Sequence, residues 1–136
     1  MRKFFMSLFP ALGLPSPGRG LARGPGRALK DADAAYQAGE YEEALRLYRL
    51  AAEQGLANAQ VDLGYMYAIG QGVEQDNVLA HMWFSLAAAQ GNTTAVRNLA
   101  TATSKMTLAQ IAESQKLAGV LRRRATLTRP RQATGG

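Results

Sequence analysis

Apolar residues in the middle of this chain recur at the spacing of a helix face. Between residues 41 and 54, Ala44, Leu47, Tyr48, Ala51 and Ala52 fall at i, i+3, i+4, i+7 and i+8, one side of a helix. Residues 57–69 repeat the stripe with Ala59, Leu63, Met66 and Tyr67. Residues 77–90 repeat it again with Ala80, Trp83, Phe84, Ala87 and Ala88. Weaker patterns flank these three. A short helix is predicted over 31–38, and another over 93–105 with Ala95, Leu99 and Ala102 inward. The threonines of that segment lower its helix propensity. A last helix is predicted to end near residue 123, with Gln115 interrupting its apolar stripe as in a helix that keeps one face in water.

The boundaries carry their own signals. Gly39, Gly55 and Gly91 stand where helices end, and Gly70 and Gly72 bracket a turn that calls for backbone angles closed to other residues. Asp76 and Asn92 are placed as N-caps. Thr107 and Gln110 form a capping box, with Met106 and Ile111 as the staple around it. Glu40, Glu42 and Glu43 suit the start of the second helix, and Glu42 is four residues from Arg46 in the favourable order. Gly64 in mid-helix costs about 1 kcal/mol relative to alanine, which implies a neighbouring helix crossing closely there.

The helices themselves repeat. At an offset of 36, Ala44 matches Ala80, Leu50 matches Leu86, and Ala51-Ala52 matches Ala87-Ala88. Gln54-Gly55 matches Gln90-Gly91, Ala59 matches Ala95, and Leu63 matches Leu99. A two-helix unit recurring with a period in the thirties predicts an all-α fold, an α-solenoid of about three antiparallel helix pairs. The expected organisation is a flexible basic segment over 1–30, a repeat domain over 31–124 and a disordered basic tail over 125–136. The linker is read from the prolines and glycines between Pro15 and Gly26.

Leu63, Gly64, Tyr67, Gly70, Gly72, Asp76, Ala80, Trp83 and Gly91, at this spacing, resemble the signature of the Sel1-like repeat, a branch of the tetratricopeptide-type helical repeats. One full unit spans about 57–92. The preceding helix pair looks like a partial unit, with Gly39-Glu40-Tyr41 and Ala44 in the tetratricopeptide style. The following pair looks like a degenerate one, in which Thr101 and Ala102 stand where Tyr65 and Met66 do and the glycine-bracketed turn is missing. The resemblance implies a scaffold or adaptor for protein–protein interaction, whose first helix in each pair lines a concave face. On that face it points to Asn58, Asp62 and Tyr65 of the third helix and Arg97, Asn98 and Thr101 of the fifth as partner-binding residues. Such a surface suits an extended peptide or a partner helix.

Composition changes the picture in one respect. The net charge is +6, but residues 1–30 hold six basic residues and no acid, and residues 122–136 hold five arginines and no acid. Residues 31–121 hold ten acids against five bases. The basic character belongs to the ends, so nucleic acid is disfavoured as a partner of the helical body. Nucleic-acid or anionic-surface binding through the basic tails is the runner-up function. The first fourteen residues set two positive charges before an apolar run broken by Pro10, and carry three readings, a plain tail, an export signal or an organellar transit segment. A cytoplasmic location is favoured, with the periplasm following if that segment acts as a signal. The segment is too short to be transmembrane.

No catalytic, metal or cofactor site is expected. The chain has no cysteine and one histidine, His81, read as a surface residue. Asp76 with Glu74 is read as a cap and a turn residue. Gly70-Gln71-Gly72 lacks the lysine of a phosphate loop, and Trp83 with Phe84 reads as core rather than a stacking platform.

Overall fold

A computed structural model describes residues 24–128, and over that span the chain is an all-α helical repeat solenoid of six helices. They are α1 (Pro25–Gln37), α2 (Tyr41–Glu53), α3 (Ala57–Ile69), α4 (Asn77–Ala89), α5 (Thr93–Thr103) and α6 (Leu108–Thr128). The basic apolar segment 1–14, most of the proline–glycine linker and residues 129–136 lie outside the described residues. Among the described residues no helix is long and apolar enough to cross a membrane.

α1 begins at Pro25, earlier than the start at residue 31 that the glycines and prolines suggested. Proline at the first helical position gives up only an N–H that the helix could not have satisfied, and its fixed φ suits the turn. The extra turn brings Ala28 into line with Ala32 and Ala35, and all three are buried. At the other end α6 continues past residue 123 to Thr128. The pairing of Arg46 also differs from expectation. Its guanidinium meets Glu43 at 2.7 Å, one residue nearer than Glu42.

The glycine signals resolve into close packing and left-handed turns. A Cβ on Gly64 would stand 2.7 Å from Cε1 of Phe84 and 3.2 Å from the Ala80 carbonyl oxygen, so α3 and α4 approach through the missing side chain. Gly70 and Gly72 have φ of 70° and 72°. The turn they make is tied back to α3, with Gln71 N–H donating to the Met66 carbonyl and Asp76 N–H to that of Tyr67, each at 2.9 Å. Asp76 Oδ1 then accepts from Leu79 N–H at 3.0 Å and caps α4. Asn92 caps α5 through Ala95 N–H at 2.9 Å. Thr107 and Gln110 exchange both capping-box bonds at the start of α6, at 2.9 and 3.1 Å.

α1 packs on α2, α2 on α3 and α3 on α4, whereas α5 and α6 both pack chiefly on α4. Helix α4 is therefore enclosed, and its run Val78 to Phe84 is buried without a break. A helix apolar nearly all round is one surrounded by others. His81 falls inside this run, which corrects its reading as a surface residue. It is 5% exposed, and its Nδ1 lies 2.6 Å from Oγ of Ser114, a fully buried residue of α6. Burial lowers the histidine's proton affinity, because the charged ring would lose its hydration.

Candidate partner-binding groove

The first helices of the three pairs, α1, α3 and α5, meet around a groove of about 290 Å³. Leu29 and Asp33 line it from α1, Asn58, Val61 and Asp62 from α3, and the cap residue Asn92 with Thr94 from the start of α5. Ala59, Leu63 and Met66 of α3 are buried in the core, while Asn58, Val61 and Asp62 line the groove, with Val61 itself buried against Ala87 and Ala95.

Polar positions in the groove are held by neighbours. Asn58 Oδ1 accepts from Asn92 Nδ2 at 3.0 Å, a bond that ties the start of α3 to the cap of α5. Asp33 accepts from the Tyr48 hydroxyl at 2.6 Å, which fixes one carboxylate toward α2. Asp62 is pushed up to about 6, first by partial burial and then by the negative charge of Asp33. Two carboxylates, one from α1 and one from α3, thus line the groove close enough to repel, and Leu29 and Val61 line it with them. A cation brought to them would relieve the repulsion that raises Asp62.

Of the six residues expected to bind a partner, the groove brings together Asn58 and Asp62. Tyr65 lies farther along α3 and is exposed, as are Arg97 and Thr101 of α5, while Asn98 is half-buried. The Thr101 hydroxyl is turned to its own helix, donating to the Arg97 carbonyl at 3.3 Å. Leu29, Asp33, Val61, Asn92 and Thr94 were not anticipated as groove residues. The signal for Asp33 was present in the same rule that named Asn58, because α1 is also the first helix of a pair and Ala28, Ala32 and Ala35 fix which side of it is inward.

The residues of the repeat signature lie in the core and in the turns and caps that border it. Leu63, Tyr67, Ala80 and Trp83 are buried in one core, Gly91 has φ of 91°, and Gly64, Gly70, Gly72 and Asp76 make the crossing, turn and cap described above. Among the described residues no three His, Asp or Glu side chains gather closely enough to hold a metal ion.

Comparison with known proteins places this architecture. Residues 34–56 and 57–92 each match the Sel1 repeat. An exopolysaccharide production negative regulator of Rhizobium leguminosarum bv. viciae is 39% identical over 94 residues, 63% of this chain and 35% of that protein. A protein of the same description from Rhizobium meliloti (strain 1021) is 38% identical over 77 residues, 55% of this chain and 29% of its own length. The chain thus spans about a third of the curated relatives it matches. Among solved structures, a protective antigen of uropathogenic Escherichia coli strains displaying an SLR fold superposes with a TM-score of 0.71 at 26% identity, covering 85% of this chain and 28% of that one. The two matched units, the glycine-bracketed turn between α3 and α4 and the shared fold make this chain a Sel1-like repeat protein.

Proposed function

We propose that this chain is a non-enzymatic protein-interaction module, and that it holds a peptide segment of a partner protein in the groove between α1, α3 and α5. The observation that carries this reading is the groove's composition. Leu29 and Val61 offer apolar contact, Asn58, Asn92 and Thr94 offer hydrogen bonds, and Asp33 with Asp62 offers negative charge. Side chains of this kind suit a short segment with one aliphatic residue and one lysine or arginine. A regulatory role of the kind named for the two rhizobial relatives fits a module that acts by occupancy of a partner.

The test is an array of short peptides with and without basic residues, probed with the full-length wild-type protein and with Asp33→Asn/Asp62→Asn. The expected result is selective retention of lysine- or arginine-bearing peptides, weakened about tenfold or more in the double variant, equivalent to about 1.4 kcal/mol. Retention of the same peptides by both proteins would place binding elsewhere on the molecule.

A further inference from the structure

The second helices of the pairs enclose a different cleft, of about 450 Å³, between the end of α2, the later part of α4 and the later part of α6. Trp83 lines it and is 1% exposed, yet its indole Nε1 has no hydrogen-bond partner. An indole N–H can only donate, and leaving a buried donor unpaired costs about 1–3 kcal/mol. Glu53 lines the same cleft from α2, and its Oε2 is also buried without a partner. Arg122 and Arg124 border it from α6, and Leu86 with Leu121 supplies apolar wall. Buried polar atoms in folded proteins are nearly always paired, so two that line one cleft from different helices point to something that pairs them.

We propose that this cleft is a binding site for a carboxylate-bearing ligand, held by the Trp83 indole N–H, the Glu53 carboxyl group and the guanidinium groups at the α6 border. The ligand must accept from the indole, which calls for an oxygen. The arginines favour a negative one. Burial pushes the Glu53 carboxyl up to about 8, more than the nearby Arg49 lowers it, so at neutral pH it carries a proton and can donate as well. A carboxyl group facing a carboxylate makes a short O–H···O⁻ bond, and the two share the proton as paired carboxyls do. The apolar wall suits an organic acid better than an inorganic anion. Neither Trp83 Nε1 nor Glu53 Oε2 touches solvent, so binding shifts the cleft wall and changes the surroundings of the indole.

Trp83 is the only tryptophan, so one indole N–H resonance in the ¹H–¹⁵N spectrum of the full-length protein reports on the site. The probes are benzoate, benzamide, inorganic phosphate, and one short peptide as its free acid and as its C-terminal amide. A saturable shift with benzoate or the free-acid peptide, absent with benzamide and the amide, is expected. Benzoate alone would identify a small acid as the ligand type, and the free-acid peptide alone a chain terminus. Arg122→Ala/Arg124→Ala, at the border of the cleft, should weaken the response about tenfold, equivalent to about 1.4 kcal/mol. The titratable groups that act on Glu53 are Arg49 on its own helix and Tyr67 of α3; Arg122 and Arg124 of α6 border the same cleft, and α4 lines it without an ionisable side chain. Binding should therefore fall as pH rises past about 8, and Glu53→Gln, which keeps a donor, should bind without that fall. No indole shift with either acid, an equal shift with benzamide or phosphate, or unchanged affinity in the arginine variant would overturn the assignment.

Discussion

At the scale of single residues, the bond between His81 and Ser114 is a buried polar contact between α6 and the enclosed helix, beside the apolar packing of Leu117, Ala118 and Leu121. His81 sits on α4 and Ser114 on α6, thirty-three positions apart, and both are out of water. Removing the hydroxyl leaves an imidazole nitrogen buried with no partner. Ser114→Ala is expected to cost about 1–3 kcal/mol, read as a lowered urea midpoint with unchanged slope. A midpoint equal to wild type would show that His81 finds another partner. The burial of His81 was not legible from the apolar stripe alone. The stripe Ala80, Trp83, Phe84, Ala87, Ala88 identifies one inward face of α4, and His81 lies off it. What buries the other face is α6, a contact set by the path of the chain through another repeat. A cue did exist in the continuous run Val78 to Leu79 and Met82 to Phe84 on either side of the histidine, which is too apolar for a helix with a solvated side. Gly64 is the opposite case. Its cost in propensity has a local readout, and the close approach of Phe84 is what that cost predicts.

At the scale of elements, the turn between α3 and α4 joins two repeats as well as two helices. Gly72 lies against the start of α2, where an added Cβ would stand 2.7 Å from the Tyr41 carbonyl oxygen. Beside it, Gln71 Oε1 accepts from the Tyr36 hydroxyl at 2.7 Å, so the turn also reaches the end of α1. Gly39 offers a control, since it too has positive φ, 79°, but open space where a Cβ would go. Gly39→Ala should cost about 1–2 kcal/mol for the left-handed backbone alone. Gly72→Ala should cost more, because strain against a backbone oxygen adds about 1–3 kcal/mol. Equal melting temperatures for the two variants would remove the claim that the turn is wedged against α2. Caps, turns and helix spans were largely readable from the sequence because each depends on residues within a few positions of one another. The start of α1 was misread because proline and glycine signal a linker and a helix start with the same letters. The arrangement of α5 and α6 around α4 was not readable at all, since a degenerate last unit leaves no periodic signal of where its helices dock. For the same reason only part of the groove was foreseen. Asn58 and Asp62 follow from the phase of α3, but Asn92 and Thr94 enter because α5 starts beside α3.

At the scale of the whole molecule, charge is divided between an acidic helical body and basic ends, and one buried acid sets how the body responds to pH. The Glu53 carboxyl is raised to about 8 in the fold, whereas an exposed glutamate in the unfolded chain titrates near 4.3. Between those values the folded state binds more protons than the unfolded state, so stability falls as pH rises and this contribution is lost by the time pH passes the folded value. Two other groups work in lower ranges. Asp62, raised to about 6, adds to the fall at more acidic pH. His81, lowered by burial, acts in the reverse sense, costing stability as pH drops below the unfolded histidine value near 6.5. From pH 7 to 8 the histidine is mostly neutral and the aspartate mostly ionised in both states, which leaves Glu53 as the main source of slope. The unfolding free energy is expected to fall over that interval by at most about 1.4 kcal/mol, the limit for one proton per pH unit. Glu53→Gln cannot ionise and should flatten the dependence whatever it does to stability at pH 7. Urea midpoints of both proteins at pH 7 and 8 decide the matter. A fall of equal size in the variant would mean that the slope comes from repulsion among the ten acids of residues 31–121, and that Glu53 is already ionised in the fold.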